Sequence, residues 1–268
     1  MTEIRELDGV VDLADLAELF AVVWGRPGEP PIGSDVLKAL AHSGNYVCGA
    51  YDGSRLIGGL VGWLGGRPPG ELHLHSHILG VLPGSDARGL GFELKQHQRL
   101  WCLEREVRLM EWTTDPLIRR NAYFNLTKLG ARSNQYLVNV YGAMRDGINA
   151  GEESDRLLIR WELDSPEALA AAAGRAPEPD LDALREAGAT TILSVGPSLE
   201  PLAKERISGR VLLCQVPDDV VDMRLHHPAT ARAWRLAVRD ALTDAIAHGY
   251  AIAGATRSGW YVLVAPAE

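Results

Sequence analysis

The chain has 268 residues, 46% of them apolar, 23% charged and 6% aromatic, enough apolar material for one large core or two modest ones. That composition excludes disorder for most of the chain, together with collagen-like and disulfide-scaffold classes. With 27 Lys and Arg against 35 Asp and Glu the net charge is -8, so neither nucleic acid nor a membrane surface is an expected partner.

The first eleven residues are acidic where a signal peptide needs a basic flank and an apolar stretch. Ile4 to Leu7 alternates as a strand does. Leu13, Leu16, Ala17, Phe20 and Val23 then follow helical period, and the proline-rich run from Gly25 to Gly33 ends that helix. Ser34 or Asp35 caps a second helix, closed by Gly44. Tyr46 to Tyr51 and Leu56 to Leu64 are strand-like, joined by a turn at Asp52-Gly53. The second of them carries Gly58, Gly59 and Gly62, where a neighbour can approach the backbone closely.

Leu72 to Leu82 is a further strand, Gly89 to Glu106 a helix and Arg108 to Thr114 another strand, which makes a parallel β-α-β crossover. Asp115-Pro116 starts a helix that runs to Lys128 and stops at Gly130. Gln135 to Tyr141 and Arg156 to Leu163 read as strands, and the alanine- and proline-rich segment 164–180 as a linker. A helix at Leu181 to Ala187, strands at Thr190 to Val195 and Arg210 to Val216, a long helix from Ala229 to His248 and a last strand pair complete the chain. No run reaches the roughly 18 apolar residues of a membrane span. Cys48, Cys102 and Cys214 lie far apart in apolar segments and read as reduced core residues, which points to the cytoplasm.

Chemistry concentrates at Val81-Leu82-Pro83-Gly84-Ser85-Asp86-Ala87-Arg88-Gly89-Leu90-Gly91, between a strand and a helix. Backbone N–H groups of such a turn form an anion nest, and glycines let a pyrophosphate reach them. A tight structural turn explains the same residues nearly as well. It is neither a Walker loop nor a dinucleotide fingerprint.

The order of elements and this turn resemble the GCN5-related N-acetyltransferase (GNAT) superfamily over about residues 1–163. Both glycines of its signature are kept, with Asp86 where Arg or Gln is usual. A little-characterised branch is similar in further blocks: Leu74-His75-Ser76-His77, Leu94-Lys95 with Gln98-Arg99, Trp112 to Leu117, Arg120 to Leu126, and Trp234-Arg235 to Tyr250. The resemblance implies an α/β fold, a GNAT-like mixed twisted sheet flanked by helices, with a smaller α+β domain at 164–268. It implies acyl-CoA-dependent N-acyl transfer, with acetyl-CoA or succinyl-CoA as donor and a small amine, such as an amino acid, as acceptor. Rival readings are a non-catalytic acyl-CoA-binding or regulatory module and other CoA-thioester chemistry. No metal is implied, and a homodimer is allowed.

Under that resemblance the strands of His75 and Trp112 splay to admit pantetheine, Trp112 walls the pocket, and a backbone N–H near Val81 polarises the thioester carbonyl. Arg88, Gly89, Leu90 and Gly91 take the pyrophosphate. By their spacing at i and i+4 of one helix, Asn121 and Asn125 either bond pantetheine amides or serve as a cap or solvent-facing residues. His73, His75 and His77 share one strand face by period two. His75 matches the position of a general base in relatives, with His77 nearer the splay; a packing role on a half-exposed strand is the alternative. Three histidines at i, i+2 and i+4 span too much length for one zinc. The family's thiolate-protonating Tyr is Leu126 here, leaving Tyr123, Tyr136, Tyr141 or solvent. Arg235 and Arg239, at i and i+4 around the last long helix, either hold an acidic substrate or form ion pairs with residues such as Asp240 and Asp244.

Overall fold

The computed structural model describes residues 2–66, 72–84, 88–142, 153–203 and 207–266. These fall into two compact units, 2–112 and 113–266. The protein is α/β, with a mixed sheet in the first unit and a second sheet near the C-terminus.

In the first unit the elements are β1 (Thr2–Glu6), α1 (Val10–Val23), α2 (Ser34–His42), β2 (Tyr46–Asp52), β3 (Arg55–Gly65), β4 (His73–Val81), α3 (Leu90–Leu103) and β5 (Leu109–Thr114). The strands lie in the order β1-β2-β3-β4-β5. All neighbours are antiparallel except β4 and β5, whose parallel pairing requires the crossover that α3 supplies. The β2–β3 turn is Gly53-Ser54, one residue later than the sequence indicated, with Asp52 paired to Arg55 and Gly53 at φ 58°.

The β3 glycines are where helices touch the sheet. A Cβ on Gly58 would meet the Leu90 side chain of α3, and one on the next residue, Gly59, the Leu16 side chain of α1. Successive strand residues face opposite ways, so α1 and α3 cover opposite faces. Leu13, Leu16 and Phe20 of α1 and Leu37 of α2 form one core with Val47, Val61 and Ile78.

The second unit begins inside β5. Instead of a helix from Pro116, residues 115–118 form a turn, and α4 (Arg119–Ala122) widens into a π-helical turn over Tyr123–Lys128. Then come β6 (Tyr136–Leu137), β7 (Arg156–Glu162), α5 (Pro166–Ala172), α6 (Leu181–Glu186), β8 (Thr190–Val195), β9 (Pro201–Ala203), β10 (Val211–Gln215), α7 (Val220–His226), α8 (Pro228–Ala247), β11 (Ala251–Ala255) and β12 (Trp260–Val264). The sheet order is β11-β12-β10-β8-β9. The segment 164–180, expected as a linker, contains α5. Ser165 caps it by accepting the Ala168 N–H, Pro166 starts it, and Ala168 and Ala171 are buried. No helix among the described residues is long and apolar enough to cross a membrane.

Candidate active site

Ladder register makes β4 the distinctive strand. Val61 of β3 pairs with Ile78, but its neighbour Gly62 pairs with Ser76, so His77 is the extra residue of a β-bulge. Bulges re-aim side chains and recur beside active sites. Here the bulge gathers three rings: Trp63 lies 5.0 Å from His75 and 4.5 Å from His77, with the two histidines 5.7 Å apart between centroids. His73 and Glu111 meet on β4 and β5 at 3.6 Å, from Nε2 to Oε2. Burial, with the nearby His77, His73 and Lys95, pulls His75 down to about 4. His77 is the most exposed of the three; burial of its ring lowers it as well. Both are therefore neutral imidazoles at pH 7.

His77 also lines an open cleft of about 630 Å³ with Pro31, Ile32, Val36, Leu40, Trp63 and Leu64. At its edge the Asn45 side-chain oxygen accepts the Leu64 N–H at 2.9 Å. Among the described residues no Lys, Arg, Asp or Glu lines it, so it suits an apolar body with one polar group directed at His77.

Ser76 faces the other way, towards α3, and is buried. Lys95 Nζ donates to Ser76 Oγ at 2.7 Å, and Ser76 Oγ donates to Gln98 Oε1 at 2.8 Å. The Lys95 head lies 3.7 Å from the centroid of the Trp112 ring and 3.8 Å from Met110 Sδ. It is only 4% exposed, and burial pulls it down to about 7, against a weaker upward pull from Cys102. Trp112 is thus buried under this ammonium. Lys95 was visible in the sequence only as part of a resembling block; its signal was a polar i, i+3 pair, Lys95 and Gln98, on the inward stripe with Leu94 and Cys102.

Val81 closes β4 opposite Gly58, and Leu82 donates its N–H to Ile57. Ser85, Asp86 and Ala87 lie outside the described residues. Gly89 is the N-cap of α3 at φ 93°, with no side-chain cap; Arg88 is exposed and Leu90 buried. A Cβ at Gly91 would touch only Leu79, at 3.7 Å. The first N–H groups of a helix have no intrahelical partner, so this end offers donors beside open space.

The remaining candidates belong to the second unit. Asn121 is exposed and Asn125 buried, so of the pair only Asn121 is open to solvent. Asp115 is no helix cap. Its carboxylate accepts the Leu117 N–H, a fork from Arg235 at 2.8 and 2.9 Å, and Arg224 at 2.8 Å. Burial would raise its carboxyl, but Arg235 and Arg224 outweigh that and hold it at about 2. Arg239 forks onto the fully buried Asp155 at 2.8 and 2.8 Å and also pairs with Glu153. The ion-pair partners are therefore Asp115, Asp155 and Glu153 rather than Asp240 and Asp244, and both guanidiniums are engaged.

Tyr136 donates to Asp155 at 2.7 Å, and burial beside that carboxylate pushes its phenol well above the usual range. Tyr141 bonds Thr113, Arg257 stacks on Tyr123, and Leu126 is buried. Among the described residues, no group of three His, Cys, Asp or Glu is placed to hold a metal.

The fold of this mixed sheet and its flanking helices is that of the GNAT acetyltransferases. It is shared with yncA of Salmonella typhimurium, solved with its cofactor acetyl-CoA, at 14% identity and a TM-score of 0.50 over 68% of this chain and 99% of that one. Aminoglycoside 6'-acetyltransferase type Ii is 17% identical, covering 61% and 98% of the two chains at a TM-score of 0.48. Naa50 of Arabidopsis thaliana, solved with a CoA bisubstrate analogue, is 18% identical over 59% and 97% at 0.46. No family model and no curated protein matches the chain.

Proposed function

We propose that the protein is an acyl-CoA-dependent N-acyltransferase of the cytoplasm, using acetyl-CoA or succinyl-CoA to acylate a small amine with an apolar body. The acyl-CoA-binding part is 1–163, and 164–268 is an appended domain. The observation that carries this reading is His77, a neutral imidazole on a β-bulge at the wall of an apolar cleft. An amino acid with an apolar side chain, or a simpler amine, fits that cleft.

In this reading the turn from Val81 to Gly91 holds the donor through backbone N–H groups, and the acceptor enters beside Trp63. His77 takes the ammonium proton directly, because it lines the cleft. His75 stays uncharged behind it and keeps positive charge off that wall. The free amine attacks the thioester, whose carbonyl a backbone N–H near Val81 polarises.

The test is a panel of acyl-CoAs against pooled amines, read by thiol release and product mass. Thiol release must depend on the amine; release without one favours hydrolysis or decarboxylation, and none at all a binding module. With the acceptor in hand, His77→Ala lowers kcat/KM at least roughly tenfold at pH 7. The deficit shrinks as rising pH supplies free amine. An equal deficit at every pH assigns His77 to packing alone.

A further inference from the structure

Among the described residues, β4 and β5 pair only at Leu74 with Met110 and His75 with Glu111. The next two residues along are Ser76 and Trp112, and there the Lys95 head lies instead, 2.7 Å from the Ser76 hydroxyl and 3.7 Å from the Trp112 ring. It arrives from α3, one face below the histidines. Among the described residues no carboxylate accompanies it: its contacts are a hydroxyl, a thioether and an aromatic face. A buried cation without a counter-ion costs stability, so a plain packing role would be better filled by Met or Leu.

The cluster also has more donors than acceptors. Ser76 gives its proton to Gln98, and the buried Gln98 Nε2 finds no acceptor among the described residues. Surplus donors at the point where two strands part suit a group that arrives rich in lone pairs. Resting on the acyltransferase reading above, we infer that Lys95 is the acid that protonates the thiolate as it leaves the acyl donor.

The groups facing Lys95 set its behaviour. From β4 comes His75, neutral down to about pH 4; from α3 comes the Cys102 thiol, itself pushed up to about 12 by burial; from β5 come only Met110 and Trp112. None supplies negative charge at neutral pH, and burial brings Lys95 to about 7. An ammonium of that acidity gives its proton readily to an alkyl thiolate, whose thiol has a pKa near ~8.5.

In the step, the C–S bond breaks with its electron pair on sulfur, and the proton passes from Nζ to sulfur, leaving a neutral lysine and a thiol. The C–N bond has formed from the acceptor amine. Its nitrogen sheds two protons in all, by way of His77 and water, and one is restored to Lys95 from solvent. Net, acyl-CoA and an ammonium give an amide, CoA thiol and one proton. Engagement of Tyr136 by Asp155, and the substitution of Leu126 for the family's Tyr, leave this role open for such a group.

The experiment compares two donors carrying the same acyl group, acyl-CoA and an acyl thiophenol whose acidic thiolate departs unprotonated. Lys95→Met should lower kcat with acyl-CoA by ~10²-fold or more and with the aryl thioester by no more than about threefold. Wild-type kcat with acyl-CoA should fall above about pH 7 as Lys95 loses its proton, and that limb should vanish in the variant. Lys95→Gln serves equally should Lys95→Met not fold; calorimetric titration with CoA checks that the donor site survives. Equal losses with both donors, or unchanged kcat with acyl-CoA, overturn the assignment and leave the transferase standing. Absence of amine-dependent thiol release from the wild type overturns both.

Discussion

His75 and His77 sit two residues apart on one strand face, yet their surroundings divide their work. His75 is held between Trp63, His77 and His73, and its protonated form is disfavoured by burial and by neighbouring positive charge. Its folded pKa of about 4 lies below the ordinary value of 6.5. The unfolded chain therefore binds more protons between these limits, and His75 makes the fold lose stability as pH falls from about 6.5 to 4. A ring-proton NMR titration should place the His75 midpoint within about one unit of 4. His75→Gln should flatten the decline in thermal midpoint across that window. A midpoint at 6 or above would mean the ring is solvated and free of its neighbours, and the division of labour with His77 would fail.

The turn between β4 and α3 decides whether a phosphate can be held. Gly89 needs its glycine for φ 93°, whereas Gly91 does not, since a Cβ there meets only Leu79 at an ordinary distance. Gly91→Ala should leave the thermal midpoint unchanged while raising the CoA Kd roughly tenfold, a ~1.4 kcal/mol loss from blocked backbone approach. Gly89→Ala should destabilise the fold by ~1–3 kcal/mol through backbone strain as well. Unchanged CoA affinity in folded Gly91→Ala would move the pyrophosphate away from this turn. Elements of this kind were legible because their cause is local: Leu13, Leu16, Ala17 and Phe20 declare α1, and alternation along β4 puts Ser76 opposite the histidines. The bulge at His77 was not legible, because it is a property of the ladder with β3. The buried Lys95 and the pairing of Arg235 with Asp115 escaped for the same reason, partners distant in sequence. Seven-residue helices such as α5 and α7 are too short for periodicity to reveal; their caps, Ser165 and Asp219, are the visible sign.

At the scale of the whole chain, the second unit depends on charges buried far from one another in sequence. Arg235 and Arg239, one turn apart on α8, reach Asp115 just beyond β5 and Asp155 just before β7, so a single helix ties two distant segments. Removing one partner of a buried pair leaves an uncompensated charge, at a cost of ~3–5 kcal/mol. Arg235→Ala should lie near the lower end, because Arg224 still meets Asp115 at 2.8 Å. The pH dependence has a definite sign. Asp115 is held at about 2, below its ordinary value of 3.8, so the folded state is favoured above that value and loses the benefit as pH falls towards 2. Asp115→Asn should therefore destabilise the protein at pH 7 and show a shallower loss between pH 4 and 2 than the wild type. Denaturant titrations at pH 7, 4 and 3 measure both effects. If Arg235→Ala instead kept full stability and raised the acceptor KM tenfold at unchanged donor KM, the guanidinium would be a substrate anchor, and the ion pair with Asp115 only its resting state.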